Sequence, residues 1–368
     1  MKIDYYYEYP VDDRVKGVVM EVLQNRVHYA GKYSEGLEQG IADLCGVKHG
    51  VAANSGSSSL LMILHALGIG PGDEVIIPAN TYVANAECVI VRGARPVFAD
   101  CTADTMNLDP AAFEAAITPR TKAVIAVHKY GHPVDMDPIV AIARRRGIKV
   151  IENGCHALGA LYKGRRVGSL GDCGFFALSH KLLSVCGMGG VTVTDDKRLA
   201  TLVTQLRHHG RHGLHEHEYE MNCVGYNMRI NEMQAAIGCV QLPLLDSWNA
   251  QRRENAAVYT RLIREAGLPV TPPVAKDYAS HVYLHYVVRV KESRDRLLPF
   301  MNANGVEAKC HYPIPLHQQG PIVEAVGRQG PFPDAERACA EVMSLPCDPN
   351  MNEEKMRAVV DTMRRFFA

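Results

Sequence analysis

Short strand-like runs with few charges recur through the first two thirds of this chain, at 48–54, 74–79, 95–100, 123–128, 149–152, 173–178 and 190–194. Between them lie stretches at 60–67, 82–92, 110–116 and 137–146 whose apolar residues fall at helical spacing. Strands with so few charges are buried on both faces, and helices between them are what bury them, so the pattern describes an α/β sheet covered on either side. The runs at 173–178 and 190–194 are separated by a short region ending in Gly187-Met188-Gly189-Gly190, which makes one strand antiparallel.

The alternation then stops. Helical spacing continues over 197–209 and, after a polar loop, from Asn231 to Ala266 with a break near Pro243. Leu268-Pro269 through Pro273 reads as a crossing into a second unit. There 281–290 alternates like a strand, 293–303 is helical, 306–312 is extended, and helices at 334–343 and 353–367 close the chain. This order describes a large α/β domain over 1–245, with an N-terminal segment, and a small α+β domain over 246–368.

Forty basic residues balance forty acidic ones, so no global field draws in nucleic acid or an anionic membrane, and a small-molecule partner is expected. Neither an apolar signal core after Met1 nor an apolar stretch long enough to span a bilayer is present. Eleven scattered cysteines, an odd number without a C-x-x-C pair, read as small buried hydrophobes in a reducing cytoplasm. His215 and His217 could share one side of an extended segment and bind a metal. With no third ligand at regular spacing a polar loop is the better reading, and no metal is expected.

Several strand ends carry polar clusters, and open α/β sheets bind ligands beyond the carboxyl ends of their strands. Asn54-Ser55-Gly56-Ser57-Ser58-Ser59 follows one strand and opens a helix. Its free N–H groups suit a phosphate, and the same residues suit a plain serine N-cap. Tyr82 could stack on a flat ligand or belong to the core. His128-Lys129-Tyr130-Gly131-His132 could line the same crevice or form a polar loop. Lys181, at the end of an apolar run, is either a surface lysine or a desolvated amine able to attack an aldehyde.

In their order along nearly the whole chain, these segments resemble the DegT/DnrJ/EryC1/StrS family of sugar and aminocyclitol aminotransferases, a branch of the fold-type I pyridoxal-phosphate enzymes. The resemblance rests on Ser55-Gly56-Ser57, Pro78-Ala79-Asn80-Thr81-Tyr82, Val127-His128-Lys129-Tyr130-Gly131 and Tyr162-Lys163-Gly164-Arg165-Arg166-Val167-Gly168. It continues through Gly171-Asp172, Lys181 with Gly189-Gly190 behind it, Gly225-Tyr226-Asn227-Met228-Arg229, Gln241-Leu242, His311-Tyr312-Pro313, Leu316-His317 and Ser344-Leu345-Pro346. It implies a mostly parallel seven-stranded sheet in a large domain that binds pyridoxal 5′-phosphate, alternating with the pyridoxamine form. Lys181 would carry the cofactor as a Schiff base, Gly56 and Ser57 would hold its phosphate, Tyr82 would stack on its ring, and His156 would lie near its phenolic oxygen. Asn227 would reach the phosphate of a neighbouring subunit, which implies a homodimer with composite sites. Arg229 would support that contact or bind substrate, and His311, Tyr312 and His317 would stand at the substrate mouth.

Two positions depart from the family pattern. Glu-Asp is usual where this chain has Glu152-Asn153, and the aspartate keeps the pyridine nitrogen protonated. Asn153 brings no charge but can hydrogen-bond a neutral ring nitrogen, and Glu152 is no substitute because strand neighbours point to opposite faces. The family's phosphate-binding serine, five residues before the lysine, is Phe176 here, and the interval back to Asp172 is one residue short; Ser179 is the replacement hydroxyl. The expected function is transfer of an amino group from an amino acid to a keto-sugar, nucleotide-linked, or to a keto-cyclitol, in amino-sugar or antibiotic biosynthesis. Asn153 keeps a second reading open, a dehydration, epimerisation or oxidation of an amino-sugar on the same cofactor.

Overall fold

Helices α1 (Asp13–Asn25) and α2 (Lys32–Cys45) precede the first strand in this computed structural model, which describes residues 2–6, 9, 11–179, 182–212 and 219–368. Strand and helix then alternate: β1 (His49–Ala53), α3 (Gly56–Ala66), β2 (Glu74–Pro78), α4 (Ala84–Val91), β3 (Arg95–Ala99), α5 (Pro110–Ala115), β4 (Thr121–Val127), α6 (Met136–Arg146) and β5 (Lys149–Asn153). A small hairpin, β6 (Leu161–Tyr162) and β7 (Arg165–Arg166), leads into β8 (Cys173–Leu178) and β9 (Gly189–Thr194). The seven longer strands form one sheet in the order β1-β9-β8-β5-β4-β2-β3. From β3 to β8 neighbours run parallel, whereas β9 is antiparallel to both β8 and β1. Each expected strand is present to within a residue or two, with the expected antiparallel member.

Side chains alternate across this sheet as the pleat requires. Ile76, Val124, Val150 and Phe176 face one apolar layer, with Leu37 and Ile41 of α2, Phe113 of α5 and Ile139 of α6. Ile77, Ile125, Ile151 and Phe175 face the other, with Leu60 and Ile63 of α3, Val89 of α4 and Val203 of α7 (Lys197–Leu206). Helices begin where local chemistry starts them. Asp109 caps α5 ahead of Pro110, and Asp196 accepts the N–H groups of Arg198 and Leu199 at α7.

The remaining chain departs more from the sequence pattern. Helices α8 (Glu232–Gln241) and α9 (Leu245–Glu265) flank Pro243 as expected. The alternating run at 281–290 yields only β11 (Tyr286–Arg289), preceded by β10 (Ala279–Ser280), which joins β6 and β7 in a three-stranded sheet. After α10 (Arg294–Ala303) the segment 306–312 is not a strand and makes only isolated bridges, Ile3 to Val306 and Lys309 to Ser344. Helices α11 (Gly320–Val326) and α12 (Pro333–Glu341) follow. The expected helix at 334–343 stops at Glu341 because the backbone turns extended at Val342, and β12 (Val342–Leu345) pairs antiparallel with β11. These strands, α9, α10 and α13 (Glu353–Phe367) enclose a third core around Tyr259, Tyr286, Leu297 and Met363, to which Ile3 also contributes. No helix among the described residues is long and apolar enough to cross a membrane.

Candidate active site

The carboxyl ends of β1, β2, β4, β5 and β8 open on a cavity of about 370 Å³. Its floor is one row of the sheet: Val127, Asn153 and Phe175 stand in register on three adjacent strands and all line it. At one end lies the turn into α3. Ser55 is the N-cap, its hydroxyl accepting the N–H of Ser58 at 3.0 Å, so the capping role is real. It leaves Gly56 and Ser57, which line the cavity, with the first N–H groups of the helix, and these have no place in the helical ladder. Close packing builds this corner. A Cβ on Gly56 would stand 2.9 Å from the Cβ of Ala177, and one on Gly190 would stand 2.2 Å from the Ser55 carbonyl oxygen.

Tyr82 is not core. It is 53% exposed, lines the cavity, and leans towards Tyr312 with ring centroids 5.6 Å apart. Below it the Asn153 side chain is bonded on both sides, its Nδ2 donating to Asn85 Oδ1 at 2.9 Å and its Oδ1 accepting the N–H of Cys155 at 3.1 Å. His156 accepts the N–H of Tyr130 at Nδ1 (3.3 Å), so the neutral ring carries its proton on Nε2. Glu152 points the other way, as alternation demands. It is fully buried and accepts the N–H groups of Gly168, Leu170 and Gly171 together with His128 Nε2, whose Nδ1 accepts the N–H of Val134. That carboxylate serves the fold.

The phosphate-binding serine needs correction. Phe176 is buried on the opposite layer and is no counterpart of a cavity residue; Phe175, Ala177 and Ser179 are the three that alternate into the cavity. The position against Gly56 is therefore Ala177, without a hydroxyl, and Ser179 is the nearest hydroxyl of this strand's cavity face. Lys181, with His180, lies outside the described residues, as do His215 and His217.

His311 and Tyr312 line the cavity, whereas three other expected residues do not. His317 is buried elsewhere, its Nε2 3.0 Å from Glu336 Oε1 and its ring against Phe332, so it does not stand at the mouth. Asn227 is exposed, bridged to His208, and Arg229 lies over the ring of Tyr29 with its guanidinium bonded to His208 Nδ1.

Reading the sequence missed the second wall. His285 stacks on His311 with centroids 4.0 Å apart, meets His156 edge-on at 5.0 Å, and sits 2.5 Å from Tyr5 Oη through Nδ1. Only tertiary folding brings Tyr5, Tyr6 and His285 to this place, and no local motif marks them. Burial pushes the Tyr312 phenol up and the Cys155 thiol up to about 12, so both are neutral at physiological pH. Among the described residues no histidine, cysteine or carboxylate group gathers into a metal site.

Comparison with known proteins decides the family. The model of the DegT/DnrJ/EryC1/StrS aminotransferase family matches residues 11–364. The chain belongs to this family. As a DegT/DnrJ/EryC1/StrS aminotransferase it is a transaminase, with pyridoxal 5′-phosphate as its cofactor. It is 41% identical over 353 residues to a pleiotropic regulatory protein of Geobacillus stearothermophilus, covering 95% of this chain and 93% of that one. It is 38% identical to the UDP-N-acetyl-3-dehydro-α-D-glucosamine 3-aminotransferase of Acidithiobacillus ferrooxidans, over 97% of this chain and 94% of the other. Among solved structures, DesV of S. venezuelae in complex with a ketimine intermediate superposes with a TM-score of 0.90 at 36% identity, covering 96% of this chain and 94% of DesV. The expected fold, a mostly parallel seven-stranded sheet with a smaller C-terminal α+β part, is that of these enzymes.

Proposed function

We propose that this aminotransferase moves an amino group from an amino acid to the ketone of a nucleotide-linked sugar or a cyclitol, in amino-sugar or antibiotic biosynthesis. One observation carries the reading: a single cavity gathers helix-start amides at Gly56 and Ser57, the exposed ring of Tyr82 and the amide of Asn153, directly beyond the strand that Lys181 follows. The similarity to an enzyme acting on a UDP-linked 3-dehydro sugar supports that substrate class.

These groups fit a phosphorylated aromatic aldehyde. Gly56 and Ser57 would hold the phosphate on backbone N–H groups and the positive helix end, with Ser179 lining the same cavity. Tyr82 would cover one face of the ring, the Val127–Phe175 row would back the other, and His156 would offer Nε2–H to the phenolic oxygen. Bound there, the cofactor supplies an electron sink for the carbon next to the migrating nitrogen. Lys181 would provide the amine that holds the cofactor and would be the group that takes up and returns the substrate's proton. His311 and Tyr312 orient substrate hydroxyls from the outer rim, and burial of the apolar floor excludes bulk water.

The remaining features of the proposal concern organisation. Asn227 and Arg229, set outside this chain's own cavity, are suited to contact the phosphate or substrate of a second subunit, which supports a homodimer with composite sites. The large cofactor-binding domain spans 1–245 and the small one 246–368. Eleven free thiols support a reducing compartment, the cytoplasm. The test is direct: incubate the holoenzyme with glutamate, follow the absorbance of the bound cofactor and measure 2-oxoglutarate, then add pooled nucleotide-linked keto-sugars and weigh the products. Formation of 2-oxoglutarate and an aminated sugar is expected; no half-reaction with any amino acid refutes the proposal.

A further inference from the structure

The groups around Asn153 form a hydrogen-bonded row whose two ends are main-chain atoms. At one end the Cys155 N–H, which can only donate, points at Asn153 Oδ1. At the other the Tyr82 carbonyl, which can only accept, receives Asn85 Nδ2 at 3.2 Å, a nitrogen that also reaches Thr81 Oγ1 at 3.0 Å. Between them Asn153 Nδ2 donates to Asn85 Oδ1 at 2.9 Å. The ends fix the polarity of everything between. Turning the Asn153 amide over would set Nδ2 against the Cys155 N–H and Oδ1 against Asn85 Oδ1. Turning Asn85 over as well would set its Oδ1 against the Tyr82 carbonyl. Both side chains are nearly sealed from water, Asn85 at 1% and Asn153 at 7% exposure, so solvent cannot compensate either mismatch.

Asn153 Nδ2 has a second hydrogen, and Asn153 lines the cavity. No Asp, Glu, Lys or Arg side chain lines that cavity among the described residues. The adjacent carboxylate, Glu152, is spent on the opposite layer. The ring-nitrogen end therefore offers a donor and no counter-charge.

We propose that Asn85 and Asn153 act as a coupled amide pair that meets the cofactor's ring nitrogen with a hydrogen-bond donor, so that this nitrogen is held unprotonated, with Asn85 as the positioning residue that locks the direction of the bond. The inference rests on the cofactor placement proposed above. It extends the role of Asn153 from loss of a carboxylate to a second, matched residue, and it assigns Asn85 a part in the reaction. A pyridine nitrogen facing an N–H is a satisfied acceptor; a pyridinium there would set two donors together in a dry site with no anion to stabilise the charge. A carboxylate at 153 would need Asn85 to turn and abandon the Tyr82 carbonyl, so the two positions constrain each other.

The experiment loads the holoenzyme with pyridoxal phosphate labelled with ¹⁵N in the ring and reads the nitrogen chemical shift, which moves far upfield on protonation. The wild type is expected to show the unprotonated shift, and Asn153→Asp the pyridinium shift. Asn85→Leu, which removes the acceptor for Asn153 Nδ2, is expected to weaken cofactor binding roughly three- to tenfold, the worth of one hydrogen bond. Asn85→Asp keeps the acceptor for Asn153 Nδ2 and, protonated in this dry site, still donates to the Tyr82 carbonyl through its O–H, so binding is expected to stay near wild type. A pyridinium signal from the wild type overturns the proposal, and so does an unprotonated signal that persists in Asn153→Asp. Equal losses in Asn85→Leu and Asn85→Asp remove Asn85 from the pair. Absence of any bound-cofactor signal is a different result: it sinks the placement of the cofactor itself, and this inference with it.

Discussion

Lys129 is almost wholly buried, and neither a carboxylate nor any other anionic partner faces it among the described residues. Its Nζ donates to the Asn80 carbonyl and lies 4.7 Å from the centre of the Tyr130 ring. The thiols of Cys101, Cys339 and Cys310 are the other titratable groups around it. Burial pushes its ammonium down from 10.5 to about 8, whereas the unfolded chain keeps the ordinary value. Between pH 8 and 10.5 the unfolded state thus binds the extra proton, so this group makes the protein more stable as pH rises through that window. At roughly 1.4 kcal/mol for each tenfold change in proton affinity, the cost of the buried charge below pH 8 is about 3 kcal/mol. Lys129→Met removes that cost and leaves the Asn80 carbonyl without its donor, a loss of about 1–3 kcal/mol, so near pH 7 the two proteins should differ little. The difference should open with pH. Urea unfolding of wild type and Lys129→Met from pH 7 to 10.5 should show the wild type gaining about 3 kcal/mol relative to the variant. Buried cysteines pull absolute stability down over the same range, because burial lifts thiols such as Cys101 to about 12, but they do so in both proteins and cancel. A pH-independent difference would refute the argument that Lys129 is desolvated without compensation.

Three further perturbations test other parts of the structure. Glu152→Gln places an amide among three N–H donors and His128 in a fully buried site, and should cost about 3 kcal/mol in urea unfolding. Gly154→Ala puts a Cβ 2.3 Å from the Phe176 ring; overpacking of about 1–3 kcal/mol is expected, and adding Phe176→Leu should cost less than the sum of the single changes. Tyr82→Ala removes a half-exposed ring, so thermal stability should hold while fluorescence titration shows cofactor affinity falling about two- to tenfold.

The parts of this fold legible in the sequence are those decided locally. Strand runs such as 173–178 are bounded by glycine and polar clusters, and their burial on both faces leaves no competing helical period. The region after α9 is less legible because neighbours decide it. Val342 to Leu345 continues the apolar spacing of α12, and it becomes a strand because the edge of β11 offers it a ladder. In 281–290 only Tyr286–Arg289 finds such a partner, so the alternation ahead of it does not become strand. The site divides the same way. Gly56, Ser57, Tyr82 and Asn153 end strands and were visible as such. His285 and Tyr6 reach the cavity through contacts that no local pattern encodes, whereas Asn85 follows Tyr82 by one turn and bonds locally to Thr81 and Tyr82. A count of residues back from Lys181 lands on Phe176 because it ignores which face a strand residue takes.

The position of β9 has a consequence for how the protein comes off the ribosome. β1 is an edge strand whose sheet bonds all go to β9, and β9 is also what seats Gly190 under the Ser55 turn. The first strand to be synthesised is thus the last to dock, since β2 to β5 can pair with one another long before residues 189–194 leave the exit tunnel. Until then the Ser55–Ser57 turn has only Ala177 of β8 to rest on and lacks the strand that seats it from below. A nascent chain arrested before Gly189 would hold most of the sheet and none of the finished corner, so competence to bind cofactor should appear abruptly, late in translation, rather than grow with chain length.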